Sequence, residues 1–225
     1  MMAQNDGKGG IGGGIKDKLV AIKQAWAQSR RLITGAPDPD HADRLPPGQR
    51  LVTNWPVLDL GLKPAIAKGD WRLQVDGLVA NPVTWDWDAY SAQPQIEDVS
   101  DIHCVTQWSR FDNRWSGVAT SQLLSVVQPL PHANAVVLHG ADGYTTNLTL
   151  ERFAGDDCLI AHAHDGAPLS RDHGGPVRAI IPRWYLWKSA KWLVRIEVLA
   201  VDKPGFWEVR GYHNEGDPWT EQRYN

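Results

Sequence analysis

The strongest constraint on this chain is the order of its apolar runs. Short strand-like stretches each break off into a polar or glycine-bearing loop, and helical stretches fall between them without regular alternation. Residues 71–75, 101–105, 135–138, 158–163, 177–181 and 192–201 read as strands, by alternation or as β-branched apolar runs. Residues 84–90, 121–127 and 148–153 read as short helices, and Asp76-Gly77 as a turn pair. A doubly wound fold would need strand and helix to alternate. The pattern predicts instead an α+β fold, with mixed β-sheets and interspersed helices. No glycine-rich phosphate loop of either nucleotide-binding type is present.

Residues 1–50 read as an extension and residues 51–225 as the folded domain. The first 14 residues are Gly-rich, which predicts a flexible tail. Residues 15–33 predict an amphipathic helix: Ile15, Leu19, Ile22 and Trp26 fall at helical spacing, with Lys16, Lys18, Lys23, Arg30 and Arg31 on the other faces. Gly35 is placed to cap it, and residues 37–50 form a Pro/Asp-rich linker. Such a helix can dock on its own domain, on a partner or on a membrane surface. The net charge of −3 lacks the basic footprint of a nucleic-acid binder. No run approaches the length of a membrane span, and no apolar segment follows the first positive residues as in a secretory signal. Arg30-Arg31 is followed by polar, proline-broken sequence, unlike a twin-arginine leader. Two isolated cysteines make no disulfide framework. A cytoplasmic location is therefore expected.

Cys104 lies where the strand over 101–105 is expected to give way to a polar, aromatic loop, with a turn at Gly117 and a helix from Ala119. His103, Arg110 and Arg114 surround it. A thiol near cations can become a thiolate, hence a nucleophile or a metal ligand; it can equally be a small buried hydrophobe. Cys158 sits in an apolar run and reads as core. The 12 tryptophans suit either a rim around a flat ligand or an aromatic core. Residues 173–192 are dense in anion-binding groups. Gly174 and Gly175 let backbone N–H groups approach a ligand, Arg178 can hold a phosphate bidentately, and Lys188 and Lys191 add point charges. With Ser189, the segment suits an anionic aromatic cofactor flanked by indoles; its alternative is a solvated basic loop beside a core strand.

Five motifs in this order, Ile-His-Cys-Val-Thr-Gln-Trp-Ser (102–109), Ala-Asp-Gly-Tyr-Thr-Thr (141–146), His-Gly-Gly-Pro-Val-Arg (173–178), Lys-Ser-Ala-Lys-Trp (188–192) and Gly-Phe-Trp-Glu-Val-Arg-Gly-Tyr-His (205–213), resemble the sulfite oxidase superfamily of molybdopterin-dependent oxidoreductases, in its short single-domain prokaryotic form. The resemblance implies a sulfite-oxidase-type molybdopterin-binding fold from about Leu51 onward. It implies a molybdenum–molybdopterin cofactor with Cys104 as the protein's thiolate ligand. His173, Arg178, Ser189 and Lys191, with Lys188 nearby, would hold the pterin and its phosphate. Asn54, Trp55, His139 and Asp142 would also contact the cofactor, and Tyr212 matches the family's active-site tyrosine. The implied reaction is a two-electron oxygen-atom transfer on a small substrate, an anion or an S- or N-oxide, with Arg110 or Arg114 available to attract an anion. No haem domain accompanies the domain, so a separate electron-transfer partner is implied. Sulfite-oxidising members carry arginine where this chain has Thr53, which leaves substrate and direction open.

Two other readings compete on the residues alone. A cysteine hydrolase would pair Cys104 with a histidine, His139 or His173; His103, next along a strand, would face away. A non-catalytic module could use its tryptophans to bind a flat ligand.

Overall fold

The computed structural model describes residues 11–29 and 43–225. In chain order the elements are α1 (Ile11–Ser29), β1 (Arg50–Leu51), β2 (Arg72–Gly77), β3 (Val83–Asp86), α2 (Trp87–Ser91), β4 (Ile96–His103), β5 (Trp108–Ala119), α3 (Thr120–Val127), β6 (Ala135–Gly140), β7 (Thr145–Thr149), α4 (Leu150–Phe153), β8 (Leu159–His164), β9 (Ala167–Pro168), β10 (Arg178–Ile180) and β11 (Leu193–Leu199). Two mixed sheets result, as expected for an α+β fold. The first runs β1-β5-β8-β10, with β4 also on β5 and β9 on β8; the second runs β3-β2-β11-β6-β7. The β1–β5 and β2–β11 pairs are parallel, and the others are antiparallel.

The predicted strands are found with small shifts at their ends, whereas the loop expected after Cys104 is not. Residues 104–107 make only a tight turn, and β5 then runs for 12 residues. Its alternation is hidden because one inward position is polar. Asn113 is fully buried and donates to the carbonyls of Ser100 and Arg110. Asp112, with φ of 54°, interrupts the pleat beside it. Gly117 is likewise no turn. It lies inside β5, where the register with β8 shifts, and a Cβ there would sit 2.2 Å from the Ile160 carbonyl oxygen. The glycine is needed for strand approach rather than for chain reversal.

Asp76-Gly77 corrects in the same way. Both residues belong to the end of β2, where Gly77 (φ +90°) brings the chain against Val198 of β11. The helix expected over 84–90 is shorter, because residues 83–86 pair with β2. Asp86 then caps α2, its carboxylate accepting the Ala89 N–H at 2.9 Å.

Helix α1 begins at Ile11 and so takes in glycines expected to be a loose tail. It docks on the body through Val20, 6 % exposed, while Ile22 points outward at 44 %. The expected apolar stripe is therefore rotated. Residues 1–10, Arg30, Arg31, the Gly35 cap and linker residues 37–42 lie outside the described residues, as do the side chains of Ile15, Lys16 and Trp26. No described helix is long and apolar enough to cross a membrane.

Both sheets contribute to one core, and the tryptophans divide between its interior and a cavity wall. Trp71 and Trp115 are fully buried, and the Trp71 indole donates to the Leu193 carbonyl at 2.8 Å. A buried ion pair ties β7 to the C-terminal segment. Lys188 Nζ lies 2.6 Å from Glu208 Oε1 and also donates to the carbonyls of Asn147 and Asn214. The same carboxylate oxygen accepts from Thr146 and from the Trp187 indole.

Two stability predictions follow from these contacts. Gly117→Ala forces the β5–β8 seam apart and should lower unfolding free energy by about 1–3 kcal/mol in urea titration; an unchanged midpoint would contradict the close-approach account. Lys188→Met strands the Glu208 charge in the interior and should cost about 3–5 kcal/mol. In that titration, a Lys188→Met, Glu208→Gln double variant should recover part of the loss.

Candidate active site

A single open cavity, about 920 Å³ counting its mouth, lies where the turn after β4, the 55–60 segment, the 186–192 segment and the C-terminal region meet. Its lining, mostly apolar and aromatic with a few polar and charged groups, suits a small-molecule or cofactor site.

Cys104 enters this cavity from the turn 104–107. The Cys104 N–H donates to the Trp108 carbonyl at 2.8 Å, and the Cys104 carbonyl accepts from Gln107 N–H at 2.9 Å and from the Gln49 side chain at 3.1 Å. Gln107 closes the turn at a φ of 72°. Arg223 braces it from the far side, donating to the carbonyls of Val105 and Pro47. The thiol is thus held by backbone geometry at the junction of two paired strands. Burial pushes its pKa up, and the Thr106 hydroxyl, 3.1 Å away, with the more distant Arg223 and Lys191, offsets this only in part. A thiol so placed is neutral alone and ionises when a metal takes its proton's place.

Opposite charges gather on the same cavity. Arg178 of β10 is 1 % exposed, yet its guanidinium donates only to the carbonyls of His173, Ser189 and Ala179 among the described residues. Burial pulls its pKa down to about 9. Lys191 donates to the Asp172 carbonyl at 2.7 Å; burial, then Arg178, pulls it down to about 7. One buried and one half-buried cation, neither hydrogen-bonded to a carboxylate among the described residues, carry an electrostatic cost that an anion bound between them would lower. Gly174, at φ +98°, packs directly on Lys191: a Cβ there would lie 2.8 Å from the lysine's own. Ser189 Oγ accepts the Ile181 N–H at 2.9 Å, which turns the segment toward the cavity.

The remaining expected residues separate cleanly. Trp55, Asp142 and Tyr212 join Cys104, Arg178, Ser189 and Lys191 on the wall. Tyr212 is 3 % exposed and stacks on Trp207 at 4.8 Å. Burial raises its pKa far above the phenol range, so it keeps its proton. His173 is not on the wall but stacks on Trp55 at 3.8 Å; its Nδ1 is buried without a partner, and its pKa falls to about 4 through burial and Arg178.

Five expected residues are placed elsewhere. Asn54 is exposed. His139 turns outward from β6 to Glu197, 3.3 Å away. Lys188 is consumed by the pair with Glu208. Arg110 is held by Asp165 at 2.8 Å and by His164 and Asn113, and Arg114 is exposed beside Glu97. The sequence could not reveal this, because their partners lie far along the chain.

The hydrolase reading finds no support here. The thiol's partner is Thr106, and no imidazole among the described residues bonds to it. His103 faces Ser109 at 2.8 Å on the other side of the strand. The donor set instead fits an anionic, metal-bearing planar cofactor: a thiol, two uncompensated cations, an orphaned imidazole nitrogen and indole walls. Sequence reading did not name Lys23 of α1, the 58–60 segment, Trp207 or the brace Arg223 as site residues; Trp207 lies within the 205–213 motif, and the others lie outside the five motifs.

Comparison with known proteins agrees with this geometry. The family profile described as "Oxidoreductase molybdopterin binding domain" matches residues 60–207. The chain is 44 % identical over 186 residues to the uncharacterized oxidoreductase YuiH of Bacillus subtilis, covering 82 % of this chain and 94 % of that one. It is 29 % identical to the protein-methionine-sulfoxide reductase catalytic subunit MsrP of Gluconobacter oxydans, over 61 % of this chain and 49 % of that one, so it spans about half of that relative. The sulfane dehydrogenase SoxCD of Paracoccus pantotrophus shares the fold, with a TM-score of 0.58 at 21 % identity over 62 % of this chain and 41 % of that one. The chain belongs to the molybdopterin-binding oxidoreductases of the sulfite oxidase superfamily, and its cofactor is molybdenum–molybdopterin.

Proposed function

We propose that Cys104 is the thiolate ligand to molybdenum and that the enzyme carries out oxygen-atom transfer on a small anion or an S- or N-oxide. The observation that carries this reading is the placement of a buried thiol on the same cavity as buried Arg178 and half-buried Lys191, two cations with no hydrogen-bonded carboxylate among the described residues. The similarity to MsrP supports an S-oxide as one substrate class. When bound, the cofactor supplies two-electron oxygen-atom transfer.

The chain's own groups have distinct tasks. Arg178 and Lys191 hold the cofactor's anionic end, with Ser189 and the Gly174 backbone beside them. Trp55 forms one wall, kept in place by the stacked His173 ring. Asp142, whose carboxylate accepts the Tyr144 N–H at 3.1 Å, borders the cavity where β6 ends. Tyr212, fixed by Trp207 and protonated throughout the working range, offers its O–H to a substrate oxygen. Trp187 and Trp207 narrow the cavity and exclude water. Electrons pass to or from a separate partner protein. Two free cysteines suit a reducing compartment, as the cytoplasm is.

Cys104→Ser should retain pterin and its unfolding midpoint, because the cationic holders remain. It should lose at least about 100-fold in turnover with artificial electron carriers, beyond the usual effect of disturbing a ligand's neighbours. A variant as active as wild type would remove Cys104 from the metal.

A further inference from the structure

Helix α1 lies outside residues 60–207 that match the family profile, yet it reaches the cavity. It touches two walls. Leu19 packs over Gly61, where a Cβ would lie 2.9 Å from Leu19 Cδ1; on the other side Gln24 donates to the Arg210 carbonyl at 3.0 Å, two residues from Tyr212. Buried Val20 anchors the helix between these contacts. Lys23, three residues further on, then faces into the cavity with only 18 % of its side chain exposed.

On this cavity wall three cations, Lys23, Arg178 and Lys191, outnumber two carboxylates, Asp59 and Asp142. Asp59 Oδ1 is 3.8 Å from Lys23 Nζ, a charge neighbour beyond hydrogen-bond reach. The same carboxylate lies 3.6 Å from Lys63, whose hydrogen-bonded partner is Asp172 at 2.9 Å. Across the cavity stand Arg178 and Lys191, and Lys23 and Lys63 both contribute to the lowered pKa of Lys191. Burial lowers Lys23 as well, with Lys63 adding to it. Several mutually repelling cations around one opening form a site whose charge is completed by an anion.

We propose that α1 supplies Lys23 as a further oxyanion-binding residue of this cavity, so that a segment outside the family domain is part of the site. The assignment rests on the molybdopterin reading above. The oxyanion is a phosphate of the cofactor or an anionic substrate, and the two are separable by experiment.

The test uses the full chain, purified from molybdate-replete cells, as wild type, Lys23→Met and Lys23→Arg. Molybdenum and pterin content are measured before and after prolonged gel filtration, and sulfate affinity of the loaded protein is followed by tryptophan fluorescence. Lys23→Met should lower either cofactor retention or sulfate affinity at least about fivefold at low salt, with the deficit shrinking at high salt as screening grows. Lys23→Arg should preserve both. A loss of retention identifies the cofactor phosphate; a loss of sulfate affinity at full cofactor content identifies an anionic substrate. Unchanged retention and affinity in Lys23→Met would overturn the proposal. So would a deficit shared by Lys23→Arg and indifferent to salt, which would mark Lys23 as packing only. Wild-type protein without molybdenum or pterin would overturn the functional reading itself, and the assignment of Lys23 with it.

Discussion

The site depends on a buried guanidinium, Arg178, that no carboxylate among the described residues meets with a hydrogen bond. Arg178 is buried on β10, the end strand of the first sheet, and spends its donors on backbone carbonyls. Burying an unpaired guanidinium is unfavourable unless something else supplies the counter-charge. Lys191, Gly174, Ser189 and the stacked His173–Trp55 pair are arranged around that deficit. The architecture is a cationic receptacle whose occupant completes its electrostatics, so cofactor binding and stability are linked.

The thiol is placed by a different device. Cys104 occupies the first position of a four-residue turn between two long paired strands, and its own N–H and C=O both belong to the hairpin. Gln49 and Arg223 reach that turn from opposite ends of the body, the one 55 residues before Cys104, the other donating to Val105 from 118 residues beyond it. Loading a reactive atom on a turn fixed from both sides confines it at the buried floor of the cavity. The Lys188–Glu208 pair does similar work for the opposite wall: it holds Trp187 and leaves Ser189 and Lys191 facing inward.

How much of this was readable in the chain follows from range. Elements set by local pattern were legible: β6, β8, β10 and β11 all appear near the residues whose alternation or branching announced them. β5 was not, because Asn113 occupies an inward position and satisfies it with carbonyls that no local pattern predicts. Gly77 and Gly117 looked like turns because a glycine's need for close strand approach is invisible until the partner strand is known. At the site, Cys104, Arg178, Ser189 and Lys191 stood in three motifs and meet on one cavity. His139, Lys188 and Arg110 carried the same residue types, but Glu197, Glu208 and Asp165 occupy them. Lys23 was read only as lying off the apolar stripe of the N-terminal helix, since its destination is set by where α1 docks.

The most direct measurement is X-ray absorption at the molybdenum edge, comparing wild type with Cys104→Ser. The account predicts one fewer sulfur neighbour around molybdenum in the variant and otherwise similar coordination. An identical sulfur count in the two proteins would contradict the assignment of Cys104 as the ligand on which this site is built.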